Sequence, residues 1–243
     1  MKNQYFGDVG DYGKYGLLRY LAENGIRTGV NWYLTEDDGS NDGRHITYLE
    51  KKEYFKYDSS LYIFLKELVL ERQERAVSHI EDGSLIPDAV FYERMLDNPL
   101  QFVKQEREER RLRWHEDGLE KLKGCDLVFL DPDNGFRSSP ARQVKDQNKY
   151  CYSNEVRDYF EAGANVFYYT HKGRRTAEQW TIAKGKMKMA TPDAFMWGLT
   201  FHRGTQRSYI FSIHPEEKDR YTRLLDSFMH TNWKDMFTVE PMP

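Results

Sequence analysis

The spacing of apolar residues divides the chain into alternating helical and extended segments. Leu17, Leu18 and Leu21 recur at helical spacing, and Gly25 supplies a stop. Residues 29–35, GVNWYLT, are rich in β-branched and aromatic types and predict a strand. Residues 36–45 hold two Asp-Gly pairs and no apolar side chain, which predicts a loop. Over 59–73, Leu61, Phe64, Leu65 and Leu68 share one helical face, with Ser59 or Ser60 as the cap. A short strand is expected over 75–80 and a loop over 81–88. Residues 101–124 alternate acidic and basic side chains, predicting a solvated helix that stands apart as a charged insertion.

The second half has sharper boundaries. Residues 126–131, DLVFLD, predict a buried strand that runs into the acidic turn PDNG. A helix follows over 153–163, capped by Ser153 and ended by Gly163, and then a second buried strand over 164–171. Another helix is expected near 176–187. Two strands, 194–201 and 207–213, form a terminal hairpin, and a last helix covers about 215–230 with Pro215 in its first turn. Strand–helix–strand order implies a right-handed parallel βαβ unit. The expected fold is therefore α/β and Rossmann-like: one domain over 1–243, a mostly parallel sheet, helices on both faces and a C-terminal antiparallel hairpin. In such sheets ligands sit at the carboxyl ends of the strands. Three polar turns follow strands directly, after 35, from 131 and from 171, and parallel strands would bring them to one edge.

Composition narrows the class. With 36 basic and 39 acidic residues the net charge is −3, which excludes a globally basic nucleic-acid-coating protein but leaves room for local patches. Aromatic residues make up 15% of the chain, too many for a disordered one. Two cysteines, Cys125 and Cys151, cannot build a disulfide framework or a four-Cys metal site. No apolar stretch suits a membrane span, and the first residues lack the apolar run of a signal peptide, so a cytoplasmic protein is expected.

The three turns differ in chemistry. Asp131-Pro132-Asp133-Asn134-Gly135 presents two carboxylates, fit either for a hard cation or for an exocyclic amine. The loop from Glu36 to Gly43 is acidic, lacks EF-hand spacing, and suits a cation, ribose hydroxyls or amines rather than phosphate. From 171 to 188 the sign reverses: Lys172, Arg174, Arg175, Lys184, Lys186 and Lys188 face only Glu178, with Trp180 and Tyr168-Tyr169 close in sequence. Basic groups interleaved with aromatics suit polyphosphate or a nucleic-acid strand. The opening segment, with Asp8, Asp11, Lys14 and Tyr15 among regularly spaced glycines, reads as a lid or arm over 1–25.

The element order resembles the class I S-adenosylmethionine-dependent methyltransferase fold. Asp131-Pro132-Asp133-Asn134 stands where adenine amino-group methyltransferases carry Asp-Pro-Pro-aromatic. The segment FGDVGDYGKYGLLRYL is similar to the Gly-Asn-x-Ala-Asp-x-x-Lys-His segment of ribosomal RNA adenine methyltransferases and to the start of three-Cys-motif partner proteins. Together with FLDPDNG it resembles a little-characterised bacterial family. The chain departs from the pattern at Asp133 and Asn134, with Phe136 arriving two residues late, and where the Gly-rich turn belongs it reads LTEDDGSNDG. The resemblance implies a methyltransferase-like enzyme acting on nucleic acid or a nucleotide. Asp131, Asp133, Asn134 and Lys14 would be catalytic, with Asp131 orienting the amine. Asp8, Asp11, Thr35, Asp37, Asp38, Gly39 and Asp42 would contact S-adenosylmethionine. His171, Lys172, Arg174 and Arg175 would hold substrate phosphates. Two alternatives stay open. One is a phosphate-ester hydrolase using Mg²⁺ or Mn²⁺ on Asp131, Asp133 and Asp38, with Asp37 and Asp42 nearby. The other is a Rossmann-like domain that binds a partner without chemistry.

Overall fold

Successive residues of a strand face opposite ways, and in the central strands both ways are apolar. The computed structural model, which describes residues 1–243, contains the strands Thr28–Asn31 (β1), Val90–Tyr92 (β2), Leu127–Leu130 (β3), Phe136–Arg137 (β4), Cys151–Tyr152 (β5), Asn165–Thr170 (β6), Phe195–Phe201 (β7), Arg207–Ile213 (β8) and Phe237–Glu240 (β9). Leu127 and Phe129 of β3 and Phe167 of β6 enter one core, while Val128, Leu130, Val166 and Tyr168 enter the other. The first core is closed by the helices Val9–Glu23 (α1), Ser59–Lys66 (α2) and Lys218–Phe228 (α7). The second is closed by Lys104–Lys121 (α4), Ser153–Glu161 (α5) and Ala177–Lys188 (α6). Ser78–Asp82 forms the short α3.

Seven strands make one sheet in the order β2-β1-β3-β6-β8-β7-β9. The first four are parallel; β8, β7 and β9 follow in antiparallel pairing. Asn31 stands opposite Leu130, and Leu130 opposite Tyr168, so the turns after β1, β3 and β6 leave the same edge. The chain places β2 on one side of β1 and β3 on the other, so the strand order reverses there. This is the crevice where open α/β sheets bind ligands. The α/β architecture with helices on both faces is as the sequence predicts.

Several boundaries differ from those expectations, for local reasons. The glycine-punctuated start is no lid: Asp8 accepts from the Gly10 and Asp11 amides at 2.7 and 3.1 Å and caps a buried helix that starts at Val9. The charged 101–124 segment is no insertion, because α4 is the crossover joining β2 to β3, with Trp114, His115 and Gly118 turned inward. Residues 78–80 are helical, not extended. Asp58, not Ser59 or Ser60, caps α2 through the Leu61 amide, and the 59–73 helix continues beyond Lys66 as a wider π turn. Ser153 is the first residue of α5, and Glu155 takes the amide before it, at Tyr152. β2 and β9, only three and four residues long, carry too little pattern to be seen in sequence. The hairpin strand next to β6 is β8, and β9 forms the edge.

The glycines of α1 are explained by what they touch. A Cβ on Gly13 would lie 2.4 Å from the Phe201 ring, and one on Gly16 would lie 2.1 Å from the Trp233 ring. Both rings are buried, so the helix backbone packs directly on them. Gly16→Ala is expected to cost about 1–3 kcal/mol by overpacking. Gly185→Ala in α6, where a Cβ meets open space, is expected to be neutral or stabilising by up to about 1 kcal/mol. Urea midpoints of the two variants test this, and equal shifts would refute the packing account.

Candidate functional site

The turn after β3 begins at Asp131, whose side chain is almost wholly withdrawn from solvent. A lone carboxylate buried there would be costly. Its partner comes from α1: Lys14 Nζ lies 2.7 Å from Asp131 Oδ2 and 2.8 Å from Asp11 Oδ1. Burial alone would lower the Lys14 pKa, but the two carboxylates outweigh it and hold the ammonium above its ordinary value. Asp11 receives less than it loses. Burial, with Asp8 and Asp131 nearby, pushes its carboxyl up to about 6 despite the Lys14 charge. One ammonium cannot neutralise two buried carboxylates, and Asp11 is the one left in surplus. Tyr15 donates its hydroxyl to Asp11 Oδ2 at 3.2 Å. Asp8 pairs with Arg207 at 3.1 Å, and a Cβ on Gly10 would strike that guanidinium, so a bare helix turn makes room for the pair.

These groups line a cleft of about 280 Å³ at the carboxyl ends of β3 and β6. Asp8, Asp11, Asp42, Asp131 and Asp133 supply five carboxylates, against Lys14, Arg207 and the Met1 amino group. Tyr5, Tyr169 and Tyr209 also line it. Burial pushes the Tyr169 hydroxyl up to about 12 even with Arg207 nearby, so it is a neutral phenol. Asp131 Oδ2 is taken by Lys14, whereas Oδ1 receives no hydrogen bond from the protein. Asn134 borders the cleft, its amide held by the Lys149 carbonyl at 2.7 Å.

The residues expected after β1 are divided. Asp42 reaches the cleft. Thr35, Asp37, Asp38 and Gly39 do not; the N-terminal residues engage them. The Thr35 amide donates to the Met1 carbonyl at 2.9 Å, and Asp37 accepts from the Gln4 amide at 3.0 Å. Asp38 pairs with Lys2 at 2.6 Å, which holds its carboxyl well below the usual range, and the Gly39 amide donates to Gln4 Oε1. The Met1 amino group donates to the carbonyls of Tyr33 and Asp131, both at 3.1 Å, and lies 2.7 Å from Asp133 Oδ1. Asp133 is thus charge-paired with Met1 and, at 3.5 Å, with Lys2, yet its buried oxygens accept no well-directed hydrogen bond.

This arrangement bears on the two groups the sequence suggests. S-adenosylmethionine would approach the backbone at a Gly-rich turn after β1. Here that place holds buried Trp32 and Tyr33, with Tyr33 at φ +47°, closed over by Met1, so the residues present do not fit the group there. For Mg²⁺ or Mn²⁺, Asp131, Asp133 and Asp38 each already hold an ammonium, and no three His, Cys, Asp or Glu side chains gather to hold a metal ion.

The basic turn stands outside the cleft. His171 accepts from or donates to the Tyr169 hydroxyl at 3.2 Å, and burial, then Arg175 and Arg207, lower its pKa. A neutral imidazole is a poor phosphate ligand. Arg175 caps its own loop through the His171 and Lys172 carbonyls, while Arg174 is exposed. Sequence reasoning missed Tyr5, Tyr169, Tyr209, Arg207 and His45 as cleft residues. Only strand parity, which puts Tyr169 and Tyr209 on one face beside the predicted turns, carries a signal for them.

Among solved structures, the chain is similar over 97% of its length to a Legionella pneumophila str. Philadelphia 1 protein described as DUF519, covering 98% of that chain at a TM-score of 0.49 and 12% identity. No family model and no curated protein matches the sequence. No helix is long and apolar enough to cross a membrane.

The raised Asp11 pKa has a consequence for stability. Its unfolded value is about 3.9, so between pH 4 and about 6 the folded state binds a proton that the unfolded state has released. Stability from this group therefore falls as pH rises through that window and levels off above it. Asp11→Asn removes the effect. Its stability relative to the native chain is expected to improve by roughly 2 kcal/mol from pH 4 to pH 7 in urea titrations. A pH-independent difference would contradict it.

Proposed function

We propose that this protein is an enzyme that takes an amine-bearing nucleobase of a nucleotide or nucleic-acid strand into the cleft beside β3 and acts on it through the Asp11–Lys14–Asp131 cluster. The observation that carries the reading is the state of Asp131: a buried carboxylate at the sheet's switch point, fixed by Lys14 through Oδ2, with Oδ1 taking no bond from the protein. An exocyclic amine is a neutral donor that such an oxygen accepts at little cost. The acidic balance of the cleft favours amines over phosphates, and the half-buried Tyr5 and Tyr169 offer rings for a base. Asp11, its carboxyl raised to about 6 by burial, is suited to accept or return a proton during the reaction.

A second reading, methyl transfer to that amine, is favoured by one observation. The N-terminal segment and the Asp131 turn, the two stretches that resemble adenine methyltransferases, meet at 2.7 Å across 117 positions of sequence. It requires a donor site other than the turn after β1.

Calorimetric titration tests the reading. Adenosine and cytidine are expected to bind about 10-fold or more tightly than inosine and uridine, which present a carbonyl where the amine would be. Asp131→Asn, which keeps the shape, is expected to abolish that preference. Equal affinities for the four nucleosides would overturn the proposal. Saturable binding of S-adenosylmethionine in the same titration would support methyl transfer, and its absence would remove that second reading.

A further inference from the structure

Away from the acidic cleft the chain builds a second concave site, of opposite sign. It lies between α4 and the segment 94–102 that follows β2, and encloses about 80 Å³. Its wall carries Arg94, Arg107, Arg110, Arg111 and Arg113, with Asp97 as the one carboxylate. Three of these guanidiniums are paired: Arg94 with Asp117, Arg110 with Asp97 and Glu106 at 3.2 and 3.4 Å, and Arg111 with Glu155 at 2.6 Å. Arg107 and Arg113 have no carboxylate partner. Arg107 Nη1 donates to the Phe102 carbonyl at 2.8 Å, but its Nε is buried with no acceptor at all. Its Nη2, which is not buried, makes no hydrogen bond within the protein and stays available to a ligand oxygen.

The floor of the site is fixed in advance. Trp114 Nε1 donates to the Arg94 carbonyl at 2.9 Å, the Tyr92 hydroxyl donates to the Trp114 carbonyl at 2.7 Å, and the Arg110 guanidinium lies 4.1 Å from the Phe102 ring centre. Side chains held before binding lose little freedom on binding.

We propose that this pocket is a binding site for a phosphate group, free or carried on a monoester. The volume exceeds the roughly 30 Å³ share of one water, so a tetrahedral anion has room. A dianion with several acceptor oxygens matches unpaired guanidinium forks that a single carboxylate would leave partly unsatisfied. The site is independent of the amine reading above, because it shares no residue with the acidic cleft.

Calorimetry at low salt tests it with inorganic phosphate, ribose 5-phosphate and adenosine. Phosphate and ribose 5-phosphate are expected to bind saturably to the native chain, about 10-fold more weakly to Arg107→Gln and Arg113→Gln, and unchanged to Asp131→Asn. Arg113 is exposed, so its variant keeps the test intact if Arg107→Gln fails to fold. Tighter binding of ribose 5-phosphate than of phosphate would assign a sugar phosphate, and equal affinity would assign the free anion; either supports the site. No saturable heat with the native chain, or undiminished affinity in both arginine variants, would overturn it. Adenosine lacks the phosphate and is expected to be indifferent to the arginine changes, so failure here and failure of the amine reading are separable.

Discussion

A single ammonium joins the first helix to the working edge of the sheet. Lys14 reaches Asp131 only because α1 sits deep, and α1 sits deep because Gly10, Gly13 and Gly16 let Arg207, Phe201 and Trp233 press against bare backbone. The same helix brings Asp8 to Arg207 and Asp11 to Tyr15. Removing one member of such a buried set leaves an uncompensated charge, typically worth 3–5 kcal/mol. A structural ion pair would not need a surplus carboxylate, however. Three buried aspartates around one lysine and one arginine keep Asp11 poorly neutralised, and it is on this surplus carboxyl that the proposed proton transfer rests.

The strand ends explain why the cleft lies where it does. Asn31 ends β1 by accepting from the Tyr33 amide at 3.1 Å, which turns the chain into its φ +47° conformation. The Tyr33 hydroxyl reaches Glu155, which also holds Arg111 and the Tyr152 amide, so the bend is fixed from the second core. With Met1 seated over that bend and against Asp133, the space after β1 is filled by protein. The open volume is displaced toward β3, β6 and β8, where Tyr169 and Tyr209 stand on one face.

Much of this is legible in the sequence wherever one physical signal dominates. β6, β7 and β8 are long, apolar and bounded by polar turns, and their limits match to within a residue or so. The Asp131 turn is visible because acid rarely follows an apolar strand. The N-terminal glycines mislead, because glycine spacing in a sequence looks the same whether it serves a mobile lid or a helix packed against aromatic rings. The acidic loop misleads for a related reason. Asp37 and Asp38 look like free ligands until Gln4 and Lys2, more than thirty positions earlier, are seen to occupy them. Arg207 gives no local sign of its role, since its partner Asp8 is 199 positions away.

The charge distribution constrains what one ligand can do here. A cleft lined by Asp8, Asp11, Asp42, Asp131 and Asp133 repels phosphate, so any nucleotide using it must carry its phosphates outward. The basic turn after β6 offers little help, because Arg175 is spent on its own loop and His171 is neutral near pH 7. Two further guanidiniums without a carboxylate partner, Arg107 and Arg113, lie beyond β2, on the other side of the filled β1 turn. The proposed amine site and the proposed phosphate site are therefore separated by the very bend that Met1 closes. If both proposed sites bind as argued, the plug between them makes them fit two distinct ligands or two distant parts of an extended one rather than one compact nucleotide.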